Sequence, residues 1–325
     1  MRVLLLGATG LLGHNVLLRL MEEGHQVVAL VRHADGICLK QGGWETVVGS
    51  LLDYNTLEKA AAGCDAIVNC AGTTDMSLRK YEEYLPVNRD LCQMLVRLMN
   101  DHGISILVHA STVNTIGYGS EGHPADESTP MQSPFKGSFY ADSKFEGEKV
   151  ILSAATESRH VVVVNPGYMI GPYDIKPSSG QMLLAAYKRP LMFAPRGRKA
   201  FVHVDDVARV MVSALTKGTN GQRYIVVNGE GMLTIKQLYE LQARVCGYRQ
   251  KVLSCPNTLL RMAGMVGDML RWMGVRTQVS SRNIKQLLVR EYYDNTHVLC
   301  DLHSEMIPVE KAIKDFYEYR KKEMI

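Results

Sequence analysis

No run of about 20 consecutive apolar residues occurs in the 325-residue sequence, which excludes a membrane-spanning helix from the expectations. There is no Cys-x-x-Cys pair, and the seven cysteines are odd in number, so neither a zinc site nor a complete disulfide framework is indicated and no metal is expected. Cys38, Cys64, Cys70, Cys92, Cys246, Cys255 and Cys300 read instead as buried, reduced thiols of a cytoplasmic protein. Strong charge of either sign is missing too. The net +4 is mild and its basic residues are scattered, apart from "RGRK" at 196–199 and "RKK" at 320–322, so no nucleic acid partner is implied. Internal repeats and low-complexity tracts are absent. The opening "MRVLLLGATGLLG" sets a basic residue before an apolar run, but glycines at 7, 10 and 13 interrupt it and no small-residue cleavage site follows, so it reads as folded structure and not as a secretion signal. What remains, 46% hydrophobic and 22% charged residues, is the composition of a soluble globular chain long enough for one large or two modest domains.

Short apolar runs alternate with helix-like segments: "RVLLLG", "GHNVLLRLMEEG", "QVVALVR", "DYNTLEKAAAG" and "AIVNCAG", followed by "NRDLCQMLVRLMNDHG", "SILVHAS" and "HVVVVNPG". The β-branched runs lack polar alternation, which predicts an α/β fold: a doubly wound, Rossmann-type parallel sheet covered by helices on both faces. After Pro166 the rhythm breaks at prolines 166, 172, 177, 190 and 195, and resumes at "AFVHVDDVARVMVSAL", a strand followed by a helix entered at Asp205 or Asp206. Thr234 is a helix cap for "IKQLYELQARVCG". These breaks assign residues 1–165 and 200–228 to the sheet domain, and 166–199 with 229–325 to a smaller, mostly helical region. In the latter, Met262, Met265, Met269, Trp272 and Met273 recur at helical spacing, a pattern that favours a core stripe over a lipid-binding surface.

Gly7, Gly10 and Gly13 stand at three-residue intervals between the first strand and the first helix, the context in which a glycine loop lets backbone approach a diphosphate at a helix N-terminus. At the tip of the second strand, where an acidic residue would bond the ribose of NAD, stands Arg32, with His33 beside it and Lys40 further on. An arginine fork suits the 2′-phosphate of NADP. The alternative, NAD held by Asp35 with Arg32 an ordinary loop residue, stays open at this level.

"SFYADSKFEGEK" places Tyr140 and Lys144 four residues apart on one helix face, so that both can reach one ligand. Together with "CDAIVNCAG" at 64–72, "VNRD" at 87–90, "VHASTVNTIG" at 108–117, "NPGYMIGPYDIKPSSG" at 165–180 and "FVHVDDVA" at 201–208, the chain resembles the extended short-chain dehydrogenase/reductase family, the NAD(P)-dependent epimerases and dehydratases. The "GPYDIKP" run and Arg32 look most like its dihydroflavonol 4-reductase-like subgroup. The resemblance implies a catalytic set of Thr112, Tyr140, Lys144 and Asn88. Tyr140 would exchange a proton with the substrate oxygen, Lys144 would stabilise the tyrosinate, Thr112 would orient the carbonyl, and Asn88 would support the active-site helix. It also places cofactor contacts at Thr9, Leu11 and Leu12 in the glycine loop, at Ser50 and Leu51, at Cys70, Ala71 and Gly72, and at Pro166, Gly167 and Met169.

The implied activity is an NADP(H)-dependent interconversion of a ketone and a secondary alcohol on a small organic substrate. A nucleotide-sugar epimerase with tightly held NAD competes, with Lys199, Arg196 and Arg198 in the neighbourhood that holds a sugar diphosphate. A non-enzymatic NADP-binding redox sensor is the reading from another class, although such relatives commonly lose the tyrosine or lysine. Dehydration is disfavoured, since Val113 and Asn114 stand where acidic residues would be needed. Val113, Tyr118, Tyr173, Met182 and Phe193 are candidates for the substrate pocket, with Met169 at its edge. Ser50 replaces a common aspartate, and Asn69 stands where histidine is frequent. The family also implies a homodimer through "NRDLCQMLVRLMN" and "YADSKFEGEKVIL".

Overall fold

The computed structural model describes residues 1–33, 42–175, 179–303 and 305–323. Asp35, Cys38 and Lys40 lie outside them.

Among the described residues, a central sheet is built from β1 (Arg2–Leu6), β2 (Gln26–Val31), β3 (Trp44–Val48), β4 (Ala66–Asn69), β5 (Ile106–Ala110), β6 (His160–Pro166) and, after an excursion, β10 (Arg223–Val226). The strands run parallel in the order β3-β2-β1-β4-β5-β6-β10. Residue parity decides which face each side chain takes. In β1, Val3 and Leu5 join a core with α1 (Leu11–Glu22) and α6 (Val204–Ser213), through Val16, Leu20, Val207 and Met211. Leu4 and Leu6 join the opposite core with α2 (Tyr54–Ala61), α3 (Leu91–His102) and α4 (Phe139–Leu152), through Leu57, Leu95 and Leu98. Both faces are covered, so neither parity has a reason to be polar, and the strand runs are unbroken. The strand order reverses between β1 and β4, which opens a crevice at the carboxyl ends of these strands.

The excursion leaves the sheet at Gly167. There Gly167 N–H donates to Val226 O, and a Cβ on the glycine would overlap Ala200 O. This close approach lays β7 (Tyr168–Ile170) beside β9 (Arg198–His203), which pairs in turn with β11 (Met232–Thr234) in a separate three-stranded sheet. The assignment of the strand at 200–203 to the dinucleotide sheet is therefore corrected; the chain rejoins that layer only through α6 and β10. Helix α6 also starts earlier than expected, at Val204, because His203 Nδ1 accepts the Asp205 N–H and serves as the cap. Thr234 does cap α7 (Ile235–Val245), reciprocally with Gln237.

A second core lies outside the main sheet. It gathers Ile170, Phe201, Ile235, Leu238 and Phe316 between the small sheets, α5 (Gly180–Ala186), α7 and α11 (Val309–Glu323). A parallel ribbon of β8 (Leu191–Ala194) and β12 (Lys251–Ser254) leads into α8 (Asn257–Trp272), followed by α9 (Ser281–Leu287) and α10 (Thr296–Asp301). Here the reading of the methionine stripe as core is overturned. Met262, Met265, Met269, Trp272 and Met273 are all exposed, Trp272 at 86%. The cause is glycine: α8 packs through Gly264 and Gly267, whose Cβ positions are blocked by Ser281 and the Val279 backbone, so its large residues face away. Cys300 is likewise exposed, whereas Cys64, Cys92 and Cys255 are buried. No helix among the described residues is long and apolar enough to cross a membrane.

Candidate active site

The glycine loop sits at the carboxyl end of β1, beside the strand-order reversal. Gly7 adopts a left-handed backbone (φ +83°), and a Cβ there would press on Cys70 C and Ala71 N at 2.7 Å. At Gly13 a Cβ would overlap Gly7 O, so that glycine lets α1 seat against the loop. Gly10 is the N-cap of α1; the helix has no side-chain cap and no acidic residue in its first turn. Its leading N–H groups, from Leu11 onward, are thus offered to an outside acceptor. Thr9 and Gly10 are exposed, while the Leu12 side chain turns into the core. This bare, positive backbone cradle fits a dinucleotide diphosphate.

The other sequence-derived cofactor positions flank the crevice. Arg32 and His33 are exposed in the bend after β2. Ser50 is exposed after β3, its Oγ accepting the Leu52 N–H at 3.1 Å, and Leu51 packs on the core. Cys70, Ala71 and Gly72 leave β4, with Ala71 N–H held by Asn69 Oδ1 at 3.0 Å. Pro166 ends β6, and Met169 packs from β7 on the sheet core.

Thr112 follows β5 and Tyr140 opens α4, and the Thr112 hydroxyl, which accepts the Asn114 N–H at 3.3 Å, lies near enough to the phenol to pull its pKa down. Burial pushes the Tyr140 phenol up to about 12, against the downward pull of Thr112, while Tyr168 pushes it further up. Lys144 lies one turn along α4 and is 3% exposed. Its Nζ donates to Ala110 O at 2.7 Å, and burial holds its pKa below the ordinary lysine value. Gly72 faces this group: even a Cβ there would stay 3.7 Å from Nζ, so backbone and ammonium approach each other with nothing between.

Asn88 occupies a π turn at Pro86–Asp90 and is fully buried. Its Oδ1 accepts Thr73 N–H at 2.8 Å, and its Nδ2 donates to Thr73 O at 3.1 Å and Ser143 Oγ at 2.9 Å. It is not a helix cap. With its amide engaged in this way, Asn88 is a positioning residue that laces the loop after β4 to α4. Gly147 completes this seam, since a Cβ there would overlap Asn88 O.

Sequence reasoning passed over two partners of the site. Glu148, an ordinary helix glutamate in the sequence, is 1% exposed. Its Oε2 lies 2.8 Å from Thr115 Oγ1 and 2.9 Å from Asn165 Nδ2, and its Oε1 accepts Arg223 Nη1 at 2.9 Å. Asn165 Nδ2 also donates to Thr112 O at 3.1 Å, so Glu148 ties α4 to the turn that carries Thr112. The signal was spacing: Tyr140, Lys144 and Glu148 are successive i, i+4 positions on one face. The second partner is His109, fully buried in β5. Asn69 Oδ1 accepts the Ala71 N–H, its Nδ2 lies 3.0 Å from His109 Nδ1, and His109 Nε2 lies 3.4 Å from Lys144 Nζ. Burial first, and Lys144 second, keep this imidazole neutral, with a pKa well below the ordinary value. Asn69 thereby gains a role in orienting that ring.

Of the five pocket candidates, Val113 and Tyr118 pack in one cluster, and the other three lie on separate elements. Val113 is a core residue, 1% exposed among Ile116, Ile225 and Val227. Tyr118 donates its hydroxyl to Ser133 O at 2.8 Å. Tyr173 stacks on His14 of α1, ring centroids 4.1 Å apart, and leans on Tyr319 at 4.6 Å. Met182 packs against the second core. Phe193 is 58% exposed on β8, because its ribbon turns that face outward. The cationic trio also divides: Arg196 is exposed, Arg198 lies over the Tyr292 ring, and Lys199 is fully buried in an ion pair with Glu291, also donating to Gln286 O at 2.7 Å.

The chain belongs to the NAD dependent epimerase/dehydratase family, whose model matches residues 3–228. It is an NAD(P)-dependent enzyme of the extended short-chain dehydrogenase/reductase type. Among its relatives is sterol demethylase protein B of Methylococcus capsulatus, 30% identical over 274 residues that cover 83% of this chain and 82% of that one. Another is the 4-hydroxy-2-methyl-3-oxo-4-farnesyl-3,4-dihydroquinoline-1-oxide ketoreductase of Stigmatella aurantiaca, 28% identical over 275 residues, 83% of this chain and 80% of that one. The fold is also that of the UDP-glucose 4-epimerase of Thermotoga maritima, with a TM-score of 0.78 over the full length of both chains at 19% identity.

Proposed function

We propose that the chain is an NADP(H)-dependent oxidoreductase, dihydroflavonol 4-reductase-like, that interconverts a ketone and a secondary alcohol on a small, apolar organic substrate. The observation that carries this reading is buried Lys144, held by Ala110 O at the carboxyl end of β5 one helical turn from Tyr140, with Thr112 beside the phenol.

Tyr140 is the proton donor to the substrate oxygen in reduction and the acceptor in oxidation. With its phenol held up at about 12 it stays protonated at neutral pH, which suits reduction. Thr112 donates to the same oxygen and orients the carbonyl. Lys144, held by Ala110 O, holds the ribose of the cofactor and favours the tyrosinate when oxidation demands it. A bound nicotinamide supplies or accepts the hydride. Glycines 7, 10 and 13 with the start of α1 hold the diphosphate, and Arg32 binds the 2′-phosphate that distinguishes NADP. The second core and the small sheets form the substrate-binding region, and a homodimer through α3 and α4 belongs to the same reading.

Two observations favour a reductase over a nucleotide-sugar epimerase. Lys199, at the position that would serve a sugar diphosphate, is already neutralised by Glu291 inside the protein. The relatives named for a sterol and a farnesylated ketone support an apolar substrate. The test is cofactor consumption with a panel of apolar ketones, run with NADPH and with NADH. Turnover with a higher kcat/KM for NADPH is expected. Tightly held NAD released only on denaturation, with epimerisation of a UDP-sugar, would replace this reading. A protein that binds NADPH but turns over no ketone would favour the sensor.

A further inference from the structure

Helix α8 is amphipathic in an unusual sense. Its inward stripe is small, Gly264 and Gly267 resting on Val279 and Ser281, with Arg271 donating to Leu78 O at 2.6 Å to fasten its far end. At 100° per residue, the outward half holds Leu259, Met262, Met265, Val266, Met269 and Trp272, each between 54% and 86% exposed. By contrast, no large hydrophobic side chain between Leu52 and Ile175 is exposed. A four-turn apolar face of this kind needs an occupant.

Charge identifies it. Between Lys251 and Arg290 the sequence has seven basic residues, Lys251, Arg261, Arg271, Arg276, Arg282, Lys285 and Arg290, and one acidic residue, Asp268. The whole chain nets only +4, so the rest of it is slightly acidic. Asp268 is occupied by the Ser281 N–H at 3.0 Å. Beside the carboxyl end of α8, a cleft of about 260 Å³ is lined by Arg79, Lys80 and Arg276, and its one carboxylate, Glu83, is taken up by the Arg79 and Lys80 N–H groups. A second copy meeting this surface across a two-fold axis would bring like charges together. An anionic bilayer meets both halves of the pattern, with methionines and valine entering the acyl boundary, arginines at the phosphates, and Trp272 at the interface.

We infer that α8 is a membrane-docking helix that lies in the surface of an anionic lipid bilayer and holds the enzyme there without spanning it. The docking does not depend on which reaction the site performs. Because Arg271 joins α8 to the loop that leaves β4, the docked face is fastened to the same loop that Asn88 holds at Thr73.

Co-sedimentation with vesicles of phosphatidylcholine alone, or mixed with phosphatidylglycerol, tests this on the full chain. The wild type is expected to bind the mixed vesicles, more weakly as salt rises. The double variant Met265→Ser/Trp272→Ser should lose on the order of tenfold in partitioning, and Arg261→Gln/Arg276→Gln about fivefold per arginine. NADPH binding, which none of these residues touches, reports that the variants are folded. Failure of the wild type to bind mixed vesicles overturns the inference, and equal binding to neutral vesicles removes the anionic lipid from it. A concentration-dependent dimer that Met265→Ser/Trp272→Ser dissolves, without vesicle binding, would assign the face to a second copy and overturn it too.

Discussion

Helix α4 buries a lysine, a glutamate and a serine, while helix α8 exposes three methionines and a tryptophan. Hydropathy reads the α8 stripe as core, which burial overturns, and gives no hint that α4 draws its charges inward. What the two share is the glycine on the packed side: Gly147 against Asn88 O in α4, and Gly264 and Gly267 against Ser281 and Val279 in α8. Close backbone approach, not side-chain polarity, selects the inward face in each. The residues left over then disclose use. The charges drawn into α4 are held, Lys144 by Ala110 and Glu148 by Thr115, Asn165 and Arg223, whereas the apolar surface left out on α8 has no partner among the described residues.

The comparison is broken most severely at Lys144. Lys144→Met should lower kcat/KM by about 10²–10⁴-fold. Oxidation requires the tyrosinate, so its rate rises with pH toward the Tyr140 pKa, and removing the cation should move that rise to higher pH. A pH profile of alcohol oxidation that keeps its position in Lys144→Met would count against the assigned role.

Glycine substitution tests the packing side. Gly147→Ala forces a Cβ into Asn88 O, and a cost of about 1–3 kcal/mol is expected, with loss of activity because the Asn88 seam and α4 move together. Gly264→Ala meets Ser281 Cα at 2.9 Å and should loosen α8 while sparing NADPH binding. Thermal melts with cofactor titration separate the two; equal loss of cofactor binding in both would erase the distinction.

The smallest effect concerns acid. His14, fully buried against Tyr173 with no hydrogen bond to either ring nitrogen among the described residues, has its pKa lowered by burial to about 4. The unfolded chain takes up that proton near 6.5, so the stability present above this value is lost as pH falls toward 4, at most about 3 kcal/mol. His14→Phe should flatten that part of the acid slope in Tm measured from pH 7 to 4. His109, also held neutral, keeps its share. An unchanged slope would mean that His14 is already protonated in the fold.

Much of this was legible in the residues. Unbroken β-branched runs disclosed the parallel sheet, because two-sided burial removes polar alternation. Gly7, Gly10 and Gly13 stand between β1 and α1, where the loop was expected. Other features were hidden because they depend on distant partners. Glu148 looks like any helix glutamate until Asn165 and Arg223 arrive from other strands. The outward turn of β9 follows from a backbone approach at Gly167, and the fate of Lys199 depends on Glu291, some ninety residues away. The directions of Tyr173 and Phe193 were hidden for the same reason, because tertiary packing sets them.

In the proposed reaction Tyr140 moves the proton. The direct measurement is single-turnover NADPH oxidation by wild type and Tyr140→Phe, using a ketone that the wild type reduces, with cofactor affinity measured in parallel. The rate should fall by about 10²–10⁴-fold while NADPH affinity stays within about twofold. A Tyr140→Phe rate within a few-fold of wild type would contradict the assignment.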